Sequence, residues 1–261
     1  MSASVHTCSP ILGVLGGMGP LATADFMRKL VQSTPATRDQ DHMPVFVHSV
    51  PQIPDRSESF LAGSDAPWPF LLSGLRILET AGAGAIAIPC NTAHLWHARL
   101  AAATDLEVLH IGTATSDAIA AHPAGLTRVG LMATSATIEG RIYHDALRAA
   151  GIDVMTPSAR QQTDHVMAGI AAVKAGELGT ATSLLQSAAT RLIDDGAQAV
   201  ILGCTELPLV LGGKSVGASP GESNASHDVP FFDTTQLLVK ACLAWWSRSK
   251  AAQLRSESFS Q

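Results

Sequence analysis

Short β-branched or aliphatic runs recur along the chain at 10–15 (PILGVL), 44–50 (PVFVHSV), 84–89 (GAIAIP), 107–111 (EVLHI), 127–132 (TRVGLM), 152–155 (IDVM) and 198–202 (QAVIL). Runs this short, bounded by turn residues, read as strands. Apolar positions at helical spacing lie between them, near 20–33, 67–82, 92–103, 113–121, 138–150, 160–175 and 177–195. Strands alternating with helices predict parallel α/β layers. The strands do not alternate apolar with polar residues, as expected where helices cover both faces of a sheet. Three stretches break the pattern. Residues 51–66 read as a polar loop, 212–228 as a mobile Gly/Ser/Asn-rich segment, and the chain from about Ser247 as a frayed polar end.

The pattern repeats. Ala81-Gly-Ala-Gly-Ala-Ile-Ala-Ile-Pro-Cys90-Asn-Thr is echoed by Asp195-Gly-Ala-Gln-Ala-Val-Ile-Leu-Gly-Cys204-Thr-Glu. Each is a turn, a buried strand, a cysteine and then polar residues. Upstream lie two glycine-bearing strands, ILGVLGG at 11–17 and RVGLMAT at 128–134. Two similar α/β units follow, each of about 110 residues. The expected division is 1–112 plus 230–261 for the first domain and 113–229 for the second. Ligands bind beyond the C-terminal strand ends of open parallel sheets. Two such units facing each other put Cys90 and Cys204 on opposite walls of one cleft.

Composition narrows the picture. Hydrophobic residues make up 46% and charged residues 15%, which excludes a disordered chain. A net charge of −5 without a Lys/Arg block argues against nucleic-acid binding. No apolar run is long enough for a membrane span, and the N-terminal stretch lacks the basic start of an export signal. Four cysteines suit a reducing cytoplasm rather than a disulfide scaffold.

A cysteine between a strand and a helix sits where the helix dipole favours a thiolate. Asn91 and Thr92 follow Cys90, and Thr205 and Glu206 follow Cys204, so polar groups for capping or anion binding stand beside each thiol. A single buried cysteine is ordinarily a small hydrophobe, and Cys8 and Cys242 are read so. The mirrored pair is different. Two thiols flanking one carbon allow a proton to leave one face while another arrives at the opposite face, which is racemisation without a cofactor.

The motifs as a set resemble the aspartate/glutamate racemase family of cofactor-independent enzymes, in its aspartate racemase branch. The residues that carry the resemblance are VLGGMGPLAT (14–23), PQIPDR (51–56), PCNTAH (89–94), ATSATI (133–138) with Tyr143, VKAGEL (173–178), GCTEL (203–207) and FDTT (232–235), in order from about residue 11 to 246. The resemblance implies two α/β domains with the site between them, catalytic Cys90 and Cys204, and a homodimer. It implies neither pyridoxal phosphate nor metal. It sets Met18, Gly19, Gln52, Arg56, Asn91, Thr92, Thr134, Lys174, Thr205 and Glu206 against the substrate. Glutamate racemases typically carry His after the second Cys-Thr, where this chain has Glu206, a departure that favours aspartate.

Other readings compete for some of these residues. Gly17-x-Gly19-x-x-Ala22 is close to a dinucleotide fingerprint, but the second strand ends His48-Ser49-Val50 without the acidic residue that would bind ribose. The glycines instead let backbone N–H groups approach a carboxylate, with Pro20 opening the helix. Arg56 and Lys174 are either solvated surface cations or carboxylate clamps, and a guanidinium binds a carboxylate bidentately. Cys90, His94 and His97 invite a zinc reading that no further ligand motif supports. Thr134 and Thr137 either cap a helix or donate to a carboxylate, and Tyr143 is either core or site.

The reading is a cytoplasmic racemase of aspartate, with glutamate as a further substrate. The α-carboxylate rests near Asn91, Thr92 and Thr205 and the side-chain carboxylate at Arg56 and Lys174. The alternatives are a related isomerase or decarboxylase acting on a hydantoin, maleate or an arylmalonate, and a non-catalytic protein that binds an acidic amino acid.

Overall fold

The computed structural model describes residues 9–212 and 229–258, with side chains as far as 255. Its eight strands are β1 (Leu12–Gly16), β2 (Val45–Ser49), β3 (Ala85–Ala87), β4 (Glu107–Val108), β5 (Arg128–Ala133), β6 (Asp153–Met155), β7 (Val200–Gly203) and β8 (Phe231–Asp233). They form two four-stranded sheets in the orders β2-β1-β3-β4 and β6-β5-β7-β8. Every neighbouring pair is parallel. The two sheets therefore share one topology, as the repeat in the sequence implies.

Both central strands are buried on both faces. All of β1 (LGVLG) is buried, and so is β5 after Arg128. The helices that cover the sheets are α1 (Pro20–Ser33), α2 (Arg56–Leu61), α3 (Trp68–Thr80), α4 (His97–Ala102), α5 (Ile111–Ala120), α6 (Ser135–Glu139), α7 (His144–Ala149), α8 (Ala159–Gln161), α9 (Ala168–Lys174), α10 (Leu178–Asp194), α11 (Pro208–Leu211) and α12 (Thr234–Ser258). They do so through apolar stripes at helical spacing. In α10 the stripe is Ala181, Leu185, Ala188, Ala189 and Leu192. Among the described residues no helix is long and apolar enough to cross a membrane.

The structure departs from the sequence pattern in four places. The polar loop at 51–66 contains α2, because the Asp55 carboxylate accepts hydrogen bonds from the Ser57 and Glu58 N–H groups and caps the helix. The helix expected over 138–150 is two short ones, α6 and α7, separated around Arg141, which has a φ of 58°. A π-helical turn at Gln162–Met167 joins α8 to α9 within the expected 160–175 helix. The end from Ser247 is helical through Ser258. There α12 is anchored by Leu238, Val239, Cys242, Trp245 and Trp246, which pack against Leu12, Val14, Phe26 and Leu30 of the first unit. Its later turns then extend an existing helix, which costs far less than nucleating one. Of the segment 212–228, residues 213–228 lie outside the described residues, as does Cys8.

The expected domain boundary at 230 needs correction, because β8 pairs with β7 in the second sheet. On this connectivity we propose a second unit ending at Asp233, with α12 alone returning to the first. Lys29 secures the crossing. Its ammonium lies 2.6 Å from Asp25 on its own helix and 2.6 Å from Asp233 at the end of β8.

Candidate active site

Both cysteines sit just past the third strand of their unit, Cys90 after β3 and Cys204 after β7. They line one cleft together with Met18, Asp55, Arg56, Ser57, Asn91, Thr92, Thr134, Lys174, Thr205 and Glu206. The cleft has about 300 Å³ of empty volume, its open mouth included. Both thiols are nearly closed to solvent, at 5% exposure for Cys90 and 6% for Cys204.

The glycine turn that follows β1 forms one edge. Gly17 has a φ of 91°, and a side chain there would meet the Val50 nitrogen at 2.3 Å, so only glycine fits against the end of β2. The Gly17 N–H donates to the Thr23 hydroxyl at 2.8 Å, and that hydroxyl donates to the Gly19 carbonyl at 3.0 Å. The Gly17 N–H is thus engaged within the turn rather than free for a carboxylate. Gly19 lies in an adjoining pocket that shares Arg56, Lys174 and Glu206 with the cleft.

The two thiols differ in their dominant charged neighbour. Burial pushes the Cys90 thiol up from its ordinary pKa, and the Arg56 guanidinium beside it pulls it back towards the thiolate. At Cys204 burial and the Glu206 carboxylate act in the same direction and hold the thiol protonated. The Cys204 Sγ–H donates to Glu206 Oε2 at 2.9 Å. Glu206 also acts on Cys90 and Lys174 on Cys204, each more weakly than the opposite charge, so the two thiols differ in which charge dominates. Glu206, expected against the substrate, is engaged with the Cys204 thiol and also accepts from the Thr205 hydroxyl at 3.4 Å.

Arg56 is the first residue of α2, and its Nη1–H groups donate to the Ile53 and Pro54 carbonyls at 3.0 and 3.2 Å. These bonds aim the guanidinium inward, and its Nε is buried with no partner among the described residues. Lys174 ends α9 and lies 3.8 Å from Asp55. This pair joins the α2 segment of the first unit to the second unit across the cleft. Sequence reasoning missed Asp55 and Ser57, although the Asp-x-Ser-Glu run starting α2 was a visible capping signal.

Other expected residues divide. The Thr92, Thr134 and Thr137 hydroxyls form a closed triangle at 2.9–3.0 Å, with Thr92 from one unit and the other two from the second. Thr134 also caps α6 by accepting from the Thr137 N–H at 3.2 Å. Gln52 is exposed and does not line the cleft. It stands in the turn after β2, four residues before α2 begins at Arg56.

His94 closes the floor behind Cys90. Its Nε2 accepts from the Ile111 N–H at 3.1 Å, so its Nδ1–H donates to the Cys90 carbonyl at 2.8 Å. With both ring nitrogens engaged by backbone, His94 offers no lone pair to a metal. Among the described residues no group of three or more His, Cys, Asp or Glu is placed to hold one. His97 and His110 meet edge-to-face close by, with ring centroids 4.4 Å apart. Burial pushes the His94 pKa down to about 3 and that of His110 down to about 4. An unfolded chain binds these protons near 6.5. Because the folded pKa values are depressed, the neutral rings contribute stability that is complete above pH 6.5. That stability is lost as pH falls towards 4. The melting temperature is therefore expected to drop between pH 6.5 and 4.5, and His94→Gln to flatten that slope in calorimetry. An unchanged slope would assign the acid sensitivity elsewhere.

The geometry can be set beside known proteins. A family model described as Asp/Glu/hydantoin racemase matches residues 15–242. The structure superposes on the aspartate racemase of Picrophilus torridus with a TM-score of 0.77, at 28% identity, covering 91% of this chain and 94% of that one. In sequence the chain is 28% identical to the broad specificity amino-acid racemase RacX of Bacillus subtilis, over 90% of this chain and 97% of the relative. It is 30% identical to a glutamate racemase of Deinococcus radiodurans over 152 residues, about half of each protein.

Proposed function

The chain belongs to the Asp/Glu/hydantoin racemase family, and on that premise we propose that it racemises an acidic amino acid, aspartate in the first place, by a cofactor-independent two-thiol mechanism. The observation that carries the reading is the unlike pair of buried thiols in one cleft. Cys90 has Arg56 beside it, and Cys204 donates to Glu206. In one direction Cys90, as thiolate, takes the α-proton of the substrate. The Cα–H bond breaks, an S–H bond forms, and the electron pair passes into the α-carboxylate. The Cys204 thiol then delivers its proton to the opposite face. The reverse reaction needs Cys204 as the thiolate and Cys90 as the thiol.

The α-carbanion is a poor leaving state without an electron sink. The Arg56 guanidinium in this cleft is a fixed charge that needs little reorganisation as negative charge grows on the carboxylate. Arg56 and Lys174 supply two cations for a dicarboxylic substrate. The Glu206 carboxylate, standing where glutamate racemases typically carry His, supports aspartate over glutamate. The sparse cysteines, of which Cys90, Cys204 and Cys242 are free among the described residues, support a reducing cytoplasm, and the family resemblance supports a homodimer.

The test is incubation with L-aspartate in heavy water, followed by NMR and chiral chromatography. D-Aspartate carrying deuterium at Cα is expected, and alanine, which lacks the second carboxylate, is expected to react far more slowly. The absence of any α-deuteration, or alanine reacting as fast as aspartate, would overturn the proposal.

A further inference from the structure

Asn91 follows Cys90 and lines the cleft, yet both ends of its amide are engaged inside the protein. Its Oδ1 accepts from the Tyr143 hydroxyl. Its Nδ2–H donates to Thr234 Oγ1 at 3.2 Å. The Thr234 hydroxyl in turn donates to the Leu202 carbonyl at 2.9 Å. The direction of every bond is determined. The Leu202 carbonyl can only accept, so Thr234 must donate to it and accept from Asn91. The amide oxygen is thereby turned to the phenol, which donates.

The route of this relay links the two thiols. Tyr143 immediately precedes α7 and belongs to the core of the second unit with Val129, Leu131 and Leu147. Asn91 belongs to the turn that carries Cys90. Thr234 stands where the chain crosses back to the first unit. Leu202 lies on β7, two residues before Cys204. Tyr143 and Thr234 have no exposed surface and Asn91 has 2%, so no solvent can substitute for a lost partner.

We propose that Tyr143, Asn91 and Thr234 are positioning residues whose hydrogen-bond relay sets the spacing between Cys90 and Cys204, and so the balance between inversion and retention at the substrate α-carbon. The proposal rests on the racemase reading. Inversion requires both sulfurs to reach one carbon from opposite faces. Retention requires only one, since a thiolate that has taken the α-proton can exchange it with solvent and return a deuteron to the same face. In that event the Cα–H bond breaks, the S–H becomes S–D from D2O, and a Cα–D bond forms with the configuration kept. A relay that loosens lets the two walls drift. The far thiol then loses its reach first, while same-face exchange by the near thiol continues.

The experiment follows L-aspartate in heavy water with the wild type, Tyr143→Phe, Thr234→Val and Thr234→Ser. Deuterated D-aspartate measures inversion, and deuterated L-aspartate at early times measures retention. In Tyr143→Phe and Thr234→Val, inversion is expected to fall by about 10- to 100-fold, the scale set by small misplacements of reacting groups. Retention should fall much less. Thr234→Ser, which keeps the hydroxyl, should restore the wild-type ratio. Inversion and retention falling in parallel, or not at all, would overturn the relay, because lost folded protein lowers both alike. Should Thr234→Val fail to fold, Tyr143→Phe carries the test, since it keeps the ring in its core site. A wild type that shows neither inversion nor exchange would overturn the racemase reading itself, and the relay with it.

Discussion

Alanine at either Cys90 or Cys204 is expected to abolish racemisation, with a loss of about 10²–10⁴ in kcat, the range associated with removing one general acid or base. The two effects should not add. Either thiol alone is unable to complete inversion, so the double variant should be no worse than the poorer single one. Serine should fail as well, because a hydroxyl at neutral pH is a far weaker base than a thiolate. The control is Cys242→Ala. That thiol is fully buried on α12 against the first sheet, where burial pushes its pKa up. Its removal should cost some stability by leaving a small void, with activity intact. Steady-state assays in both directions on the purified variants decide the matter. Full activity in Cys90→Ala or Cys204→Ala would end the two-thiol mechanism.

Arg56 should show the second large effect, in two observables at once. It is the cation beside Cys90, and it offers a buried donor to the cleft. Loss of a charged hydrogen bond to a substrate carboxylate is worth about 1.5–3 kcal/mol, so Arg56→Ala should lower kcat/KM by roughly one to two orders of magnitude. Arg56→Lys should also be damaging, since an ammonium lacks the planar fork. The electrostatic role adds a sign. Arg56 favours the Cys90 thiolate, so its removal raises the thiol pKa, and the rising limb of the pH–rate profile should move to higher pH. A variant with lower kcat/KM but an unmoved profile would leave Arg56 as a carboxylate clamp only. A variant with both unchanged would make it a surface residue of α2.

Much of the framework was readable as pattern. Short apolar runs such as ILGVL and QAVIL, bounded by turn residues, fit a doubly covered parallel strand, and their repeat with a terminal cysteine singles out the two thiols. What escaped the reading had no local pattern to show. β8 is three residues, Phe231–Asp233, held by pairing with β7 rather than by its own composition. α12 buries its first turns in a distant sheet, and its solvent-facing end looked like an unstructured tail. The cleft-lining residues that the sequence makes legible are those with a distinctive chemical type beside a strand end. Their partners were not legible. That Glu206 would be engaged by the neighbouring sulfur, or Asn91 by a tyrosine 52 residues away, depends on side-chain directions that only the packed fold determines.

The unlike surroundings of the two thiols carry a kinetic consequence. A racemase interconverts molecules of equal free energy, so its equilibrium constant is unity and detailed balance makes kcat/KM the same for both enantiomers. No arrangement of Arg56 on one wall and Glu206 on the other can bias that ratio. The asymmetry must instead be divided between turnover and saturation. One enantiomer will saturate the enzyme at lower concentration and turn over proportionally more slowly. Product inhibition is then stronger in one direction of a progress curve than in the other, although both curves end at the same racemic mixture.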